Sequence, residues 1–317
     1  MRDEYMRVLY MGTPQFAVPS LKKLAERFEV VAVVTQPDKP KGRGNKLTPP
    51  PVKVAALELG LPVYQPLKVR DPEFLKLVEE LKPDIILVAA YAKLIPKSLL
   101  ELPRLGCVNL HPSLLPRHRG AIPVQAAIMA GDKITGVSTF IMEEGYDTGA
   151  ILMRQEVEIA PQESGSELME RLAEIGADML VETAIGLEAG TLKAQPQQGE
   201  FNYTKPFKRE DLFIDWHKTA EETANFVRAL YSEPEAATLH NGQVLKIGQA
   251  PVVAWEEDSV SAVPGRVLGQ IKGQGYVVAT GKGTVVLRLV KPAGKGWMDG
   301  AAFMAGRRLA VGDVLGN

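Results

Sequence analysis

Asn109 and His111 lie two residues apart in the stretch Gly106-Cys107-Val108-Asn109-Leu110-His111-Pro112-Ser113-Leu114-Leu115-Pro116-Arg117-His118-Arg119-Gly120. Residues two apart on a β-strand share a face, so an amide and an imidazole emerge side by side, with Val108 and Leu110 on the other face. Pro112 and Pro116 lack the N–H that a ladder needs and fix φ, which ends the strand just past the imidazole. In an open α/β sheet that is where ligands bind, outside the carboxyl ends of the strands. An amide donor and a ring N–H aimed at one point suit a reaction in which negative charge builds on a carbonyl oxygen. A carboxylate beside the imidazole would orient it and share its proton traffic. Asp147, in Gly145-Tyr146-Asp147-Thr148-Gly149, is of the right type for that part, although an Asp in a Gly-rich turn also fits a purely structural role.

Other chemistries lack their residues. One cysteine, Cys107, and four histidines, none paired at ligand spacing, argue against a zinc centre. No Gly-x-Ser-x-Gly elbow is present to support a serine acyl-enzyme. Gly12-Thr13-Pro14 turns from a first strand into a helix without the second and third glycines of a dinucleotide fingerprint. Cys107, on a strand of apolar neighbours, reads as a small core residue.

The Asn-x-His pair, the run from Ser113 to Gly120 behind it and the Gly145 to Gly149 turn resemble the folate-dependent formyltransferases in both order and spacing. The similarity covers the whole chain, from Met11-Gly12-Thr13-Pro14 to a β-rich C-terminal domain. It implies that Asn109, His111 and Asp147 work on a formyl carbon and that 10-formyltetrahydrofolate is the co-substrate. Ser113, Leu114, Leu115 and Pro116 would grip that folate through a turn whose backbone is unpaired, with Leu94 and Ile95 as an apolar wall or as plain core. The acceptor it implies is the amino group of methionine on initiator tRNA, the product serving translation initiation. No metal is expected. Two readings compete with this one: a sibling transformylase or hydrolase acting on a small amine, and a non-catalytic RNA-binding module.

Between Pro37 and Pro51 periodicity disappears, and Lys39, Lys41, Arg43 and Lys46 face the lone Asp38. A loop of that length and charge is either solvated and mobile or an arm that meets phosphates. The family resemblance implies an arm against the tRNA acceptor stem, with Arg43, between two glycines, entering the groove.

These residues need a scaffold, and 317 residues can supply two domains. Apolar content of 45% and charged content of 24% are ordinary for a globular chain, and a net charge of −1 leaves any RNA contact to local patches. Alternating strands and helices predict a doubly wound α/β domain with a mostly parallel sheet over residues 1–189. A Gln/Pro/Gly-containing stretch predicts a linker at 190–208. Short strands at Gln243 to Ile247, Gly265 to Ile271, Gly275 to Thr280 and Thr284 to Val290 predict a small OB-like β-barrel over 209–317. From Gly265 onward eight basic residues (Arg266, Lys272, Lys282, Arg288, Lys291, Lys295, Arg307, Arg308) face two acids, which suits RNA or scattered solvated lysines. Where family members carry an Asn-Pro-Trp-Pro-Gly-like segment, this chain has Tyr231-Ser232-Glu233-Pro234-Glu235. The opening residues lack a signal peptide's apolar core, and the longest apolar run, Ile85 to Ala92, is far too short to span a bilayer. A cytoplasmic monomer is expected.

Overall fold

The structure, a computed structural model, describes residues 5–41, 44, 46–255, 262–306 and 309–316. The chain divides into two compact units, one of residues 1–123, 134–158 and 169–204, the other of 124–133, 159–168 and 205–317.

The first unit is built on a seven-stranded sheet. In chain order the strands of this unit are β1 (Arg7–Gly12), β2 (Glu29–Val34), β3 (Lys39–Lys41), β4 (Lys46–Thr48), β5 (Val63–Tyr64), β6 (Ile85–Ala89), β7 (Cys107–His111), β8 (Arg119–Gly120), β9 (Ile134–Ile141), β10 (Ile151–Glu158) and β11 (Tyr203–Thr204). The sheet order is β10-β9-β7-β6-β1-β2-β5. β5, β2, β1, β6 and β7 run parallel, and β9 and β10 complete one edge in antiparallel fashion. Val8 to Met11 and Ile85 to Leu87 are at most 1% exposed, as expected of strands covered on both faces. The direction of winding reverses between β1 and β6, so the crevice for a ligand opens beyond Gly12, Ala89 and His111, the carboxyl ends of β1, β6 and β7. Gly12 is required at that rim, because a Cβ there would lie 2.7 Å from the Ala17 Cβ and 3.1 Å from the Ala89 carbonyl oxygen.

Two expectations change. The Pro/Gly-rich loop after β2 contains a two-stranded hairpin, β3 paired antiparallel with β4 from Lys39 opposite Thr48 to Lys41 opposite Lys46. Strands this short cannot show a period of two. The stretch expected as a linker, 190–208, is bonded to the first unit between Gln195 and Thr204. Gln195 exchanges two backbone hydrogen bonds with Ile151, and β11 pairs in parallel with β8, Tyr203 opposite Arg119 and Thr204 opposite Gly120. Gly120, at φ +100°, lets that strand approach, since a Cβ would stand 2.4 Å from the Thr204 carbonyl oxygen.

The second unit carries helix Ala220–Leu230, whose first turn is closed by a capping box between Thr219 and Glu222. It also carries two four-stranded sheets: β12 (Ala236–His240), β13 (Gln243–Gln249), β18 (Leu289–Pro292) and β19 (Met298–Asp299); and β14 (Val252–Val253), β17 (Thr284–Leu287), β16 (Gly275–Ala279) and β15 (Val267–Ile271). All neighbours within them are antiparallel. The run from Thr284 to Val290, expected as one strand, is two strands in different sheets, with Arg288 at the corner. No helix among the described residues is long and apolar enough to cross a membrane.

Candidate active site

β7 delivers Asn109 and His111 at its carboxyl end, where the chain must turn at Pro112. His111 is 4% exposed. Its Nε2 lies 2.9 Å from the carbonyl oxygen of His118. A carbonyl only accepts, so Nε2 carries the proton and Nδ1 of the neutral ring keeps a lone pair. That Nδ1 faces Asp147, with Oδ2 at 3.7 Å, longer than a direct hydrogen bond and short enough for an ion pair once the ring is protonated. The amide of Asn109, half-buried, has no hydrogen-bond partner among the described residues.

The loop between β9 and β10 brings Asp147 back over the end of β7. Asp147 is left-handed, at φ +54°, and its Oδ2 accepts the Gly120 N–H at 2.7 Å. Three more non-glycine residues of this rim, Ala90, Ala92 and His118, also have φ between +47° and +59°. Each such residue costs about 1 kcal/mol or more and persists only where the surroundings enforce it, a pattern typical of functional sites.

The turn after His111 differs from its expected form. Its backbone is largely bonded: Ser113 N–H to the His111 carbonyl, Arg117 N–H to the Leu114 carbonyl, Leu115 N–H to Ser138 Oγ, with the Ser113 carbonyl accepting from Ser138 Oγ and the Leu115 carbonyl from Arg154 Nη1. From Ser113 to Arg117 the Leu114 N–H is the one backbone donor left without a partner among the described residues. Two prolines fix the shape of the turn, and Ser138 on the neighbouring β9, which sequence spacing does not reveal, supplies the bonds. Leu115 packs with Phe140 and Ile151, Pro116 is buried, and the Ser113 hydroxyl donates to the Arg117 carbonyl at 2.7 Å. Of the expected wall, Leu94 is 65% exposed, whereas Ile95 belongs to the core with Val88, Tyr91 and Leu99.

Arg119, 8% exposed, is held inside the unit. Its guanidinium sits 4.7 Å from the Phe201 ring centroid, and Nη2 donates to Gln197 Oε1 at 2.7 Å. Gln197 in turn donates from Nε2 to the carbonyls of Asp147 at 2.7 Å and Gly149 at 2.9 Å. Sequence reasoning missed Gln197 and Asn202, whose segment reads only as polar and Pro/Gly-rich.

In the hairpin after β2, Lys39 and Lys46 are exposed, Lys39 donating to Gln36 Oε1. Lys41 contributes backbone to β3, and Arg43 lies outside the described residues, as do Arg307 and Arg308. Lys93, which bonds the carbonyls of Pro66 and Leu67, has its pKa lowered by burial and by the nearby charge of Lys39. Burial pushes the Cys107 thiol up to about 12, keeping it neutral. Among the described residues no group of three or more His, Cys, Asp or Glu is placed to hold a metal.

Residues 6–184 match the model of the family described as "Formyl transferase", and residues 206–308 match that of "Formyl transferase, C-terminal domain". The methionyl-tRNA formyltransferase of Pelotomaculum thermopropionicum is 43% identical over 313 residues, covering 98% of this chain and 99% of that protein. Among solved structures, the methionyl-tRNA formyltransferase from Clostridium thermocellum superposes with a TM-score of 0.58 at 19% identity, over 92% of this chain and 100% of that one. HypX from Aquifex aeolicus in complex with tetrahydrofolic acid superposes with a TM-score of 0.63 at 20% identity; the match covers 97% of this chain and 48% of that protein, so this chain spans about half its length. At these identities the two structures speak for the fold.

Proposed function

The chain belongs to the formyl transferase family, and from that membership we propose that it transfers the formyl group of 10-formyltetrahydrofolate to the amino group of methionine on initiator tRNA, giving formylmethionyl-tRNA for translation initiation. The observation that carries the reading is the near full-length relationship, at 43% identity, to a methionyl-tRNA formyltransferase. The folate brings the one-carbon unit. The features that fit it are the unengaged Asn109 amide and Leu114 N–H at the crevice beyond β1, β6 and β7.

In this reading Asn109 donates to the formyl oxygen as negative charge develops there. His111 Nδ1, whose lone pair is fixed by the Nε2 bond to His118, takes the proton of the attacking amine, Asp147 faces the imidazolium that results, and that proton passes to the folate nitrogen as its bond to the formyl carbon breaks. Ser113 to Pro116 shape the folate side of the site, with Leu94 as its exposed apolar residue. Lys39, Lys41, Arg43 and Lys46 form the arm toward the tRNA. Residues 209–317 serve as an OB-like tRNA-binding barrel joined through 190–208 to the catalytic domain of 1–189. The passage of one strand run between two sheets at Arg288 supports the barrel, since corners of that kind join sheets in closed β-architectures. The working form is a cytoplasmic monomer.

The test is a formylation assay with 10-formyltetrahydrofolate and charged initiator and elongator tRNAs. Initiator methionyl-tRNA is expected to be formylated in strong preference to the elongator. Formylation of a small amine such as glycinamide ribonucleotide, with methionyl-tRNA left unmodified, would overturn the substrate assignment. Asn109→Ala is expected to lower kcat by about 10²–10³, the usual loss for one oxyanion donor, while tRNA affinity survives. No turnover by the unaltered protein would favour the RNA-binding reading.

A further inference from the structure

Asp147 is held in a backbone conformation that few non-glycine residues adopt. It is a non-glycine residue at φ +54°, in an excursion between β9 and β10 that carries no regular structure. Its carboxylate must nonetheless stay 3.7 Å from His111 Nδ1, and its Oδ2 on the Gly120 N–H. The Asp147 and Gly149 carbonyls are fixed by one side chain, Gln197, which reaches across fifty positions of sequence to donate to both from the same Nε2.

Gln197 is fixed in its turn. Its Oε1 accepts from Arg119 Nε at 3.2 Å and Nη2 at 2.7 Å. Arg119 also bonds the Tyr203 hydroxyl at 3.3 Å and stacks against Phe201. The same segment holds the other half of the pair. Asn202 Oδ1 accepts the His118 N–H at 2.7 Å, and the Asn202 carbonyl accepts the Arg119 N–H at 3.0 Å. His118, left-handed at φ +55°, thereby presents the carbonyl that sets the His111 tautomer. An amide side chain is the one uncharged type that can donate two bonds to carbonyls at one end while accepting a forked guanidinium at the other.

We propose that Gln197 is a positioning residue for the transfer reaction: by clamping the Asp147 and Gly149 carbonyls it sets the distance between Asp147 and His111. It touches neither reacting group, and the proposal rests on the catalytic reading of that pair given above. A displacement of about 1 Å in such a site costs on the order of 10²-fold in rate.

Gln197→Glu separates positioning from folding. Its carboxylate keeps the acceptor for Arg119, now as an ion pair, and loses the donor to the two carbonyls. The expected result is a roughly ten- to hundredfold lower kcat, with KM for formylfolate and for methionyl-tRNA within about twofold of the unaltered protein and cooperative thermal unfolding retained. The loss is also expected to be absent in an Asp147→Asn background, because a residue acting through Asp147 has nothing further to remove there. Gln197→Ala is the second variant, for the case that the carboxylate prevents folding. Unaltered kcat in either folded variant overturns the proposal. So does a loss that multiplies with Asp147→Asn, or failure of both variants to fold, each of which makes Gln197 a residue of the fold alone. Inactivity of the unaltered protein toward methionyl-tRNA strikes the functional reading instead, so the two failures are told apart.

Discussion

At the scale of single residues, the pair His111 and Asp147 is asymmetric in what each contributes. The imidazole has one nitrogen committed to the His118 carbonyl, so only Nδ1 exchanges protons with anything that enters. Asp147→Asn keeps the size and an oxygen for the Gly120 N–H but removes the charge facing that nitrogen. It is expected to lower kcat by about 10²–10⁴ with folding intact, the range for loss of acid–base function; steady-state formylation kinetics beside a thermal melt would check this. Cys107 makes the opposite case. Its thiol bonds the Leu99 and Leu100 carbonyls and is 1% exposed. Alkylating reagents are expected to label it only in denaturant, and labelling of the folded protein at a free-thiol rate would contradict that. His111 and Asn109 were legible in the sequence because alternation along one strand places them. Asp147 needed the family resemblance. Gln197 and Asn202 were not legible, because their work is on groups 50 and 84 positions away, which leaves no local pattern.

At the scale of elements, the paired strands β3 and β4 and the two ion pairs that tie Glu235 to β13 and β18 carry separate predictions. Replacing Lys39 and Lys46 by alanine is expected to raise KM for tRNA several-fold and leave KM for folate unchanged. The salt dependence of tRNA binding should become shallower by roughly one unit for each phosphate the arm no longer neutralises. Unchanged tRNA kinetics across a salt series would remove the arm from the reading. Glu235 lies between Lys246 and Lys291 in the second unit. Burial disfavours its charge, but the hydrogen bonds from the two ammonium groups outweigh that, so its pKa is lowered. A carboxylate of this kind adds stability above its unfolded pKa and loses it as pH falls through the folded one. Glu235→Gln is therefore expected to cost about 1–2 kcal/mol near pH 7, with the difference from the unaltered protein shrinking in acid. Chemical denaturation at both pH values reads this directly. Most parallel strands were legible as apolar runs. The split at Arg288 was not, since both halves share one continuous apolar pattern and only pairing tells them apart.

At the scale of the whole chain, the order of elements along the sequence differs from their order in space. The five parallel strands of the central sheet, β1, β2, β5, β6 and β7, come from the first 111 residues and β9 and β10 complete it by residue 158, while the seat of Asp147 depends also on β8 and on the segment that ends with β11. Composition announced two bodies and the alternation of helix and strand announced the first one's class. The boundary between them was harder to read, because Gln195 to Thr204 looks like spacer by composition yet is bonded to Ile151, Arg119 and Ala121. The β8–β11 pairing also has a consequence for synthesis. On the ribosome the chain emerges from its N-terminal side onward, so a nascent protein already displaying its full central sheet still lacks the pieces that brace the Asp147 loop. That bracing would arrive in one late step, when Tyr203 and Thr204 leave the exit tunnel and dock beside Arg119 and Gly120, rather than growing with length.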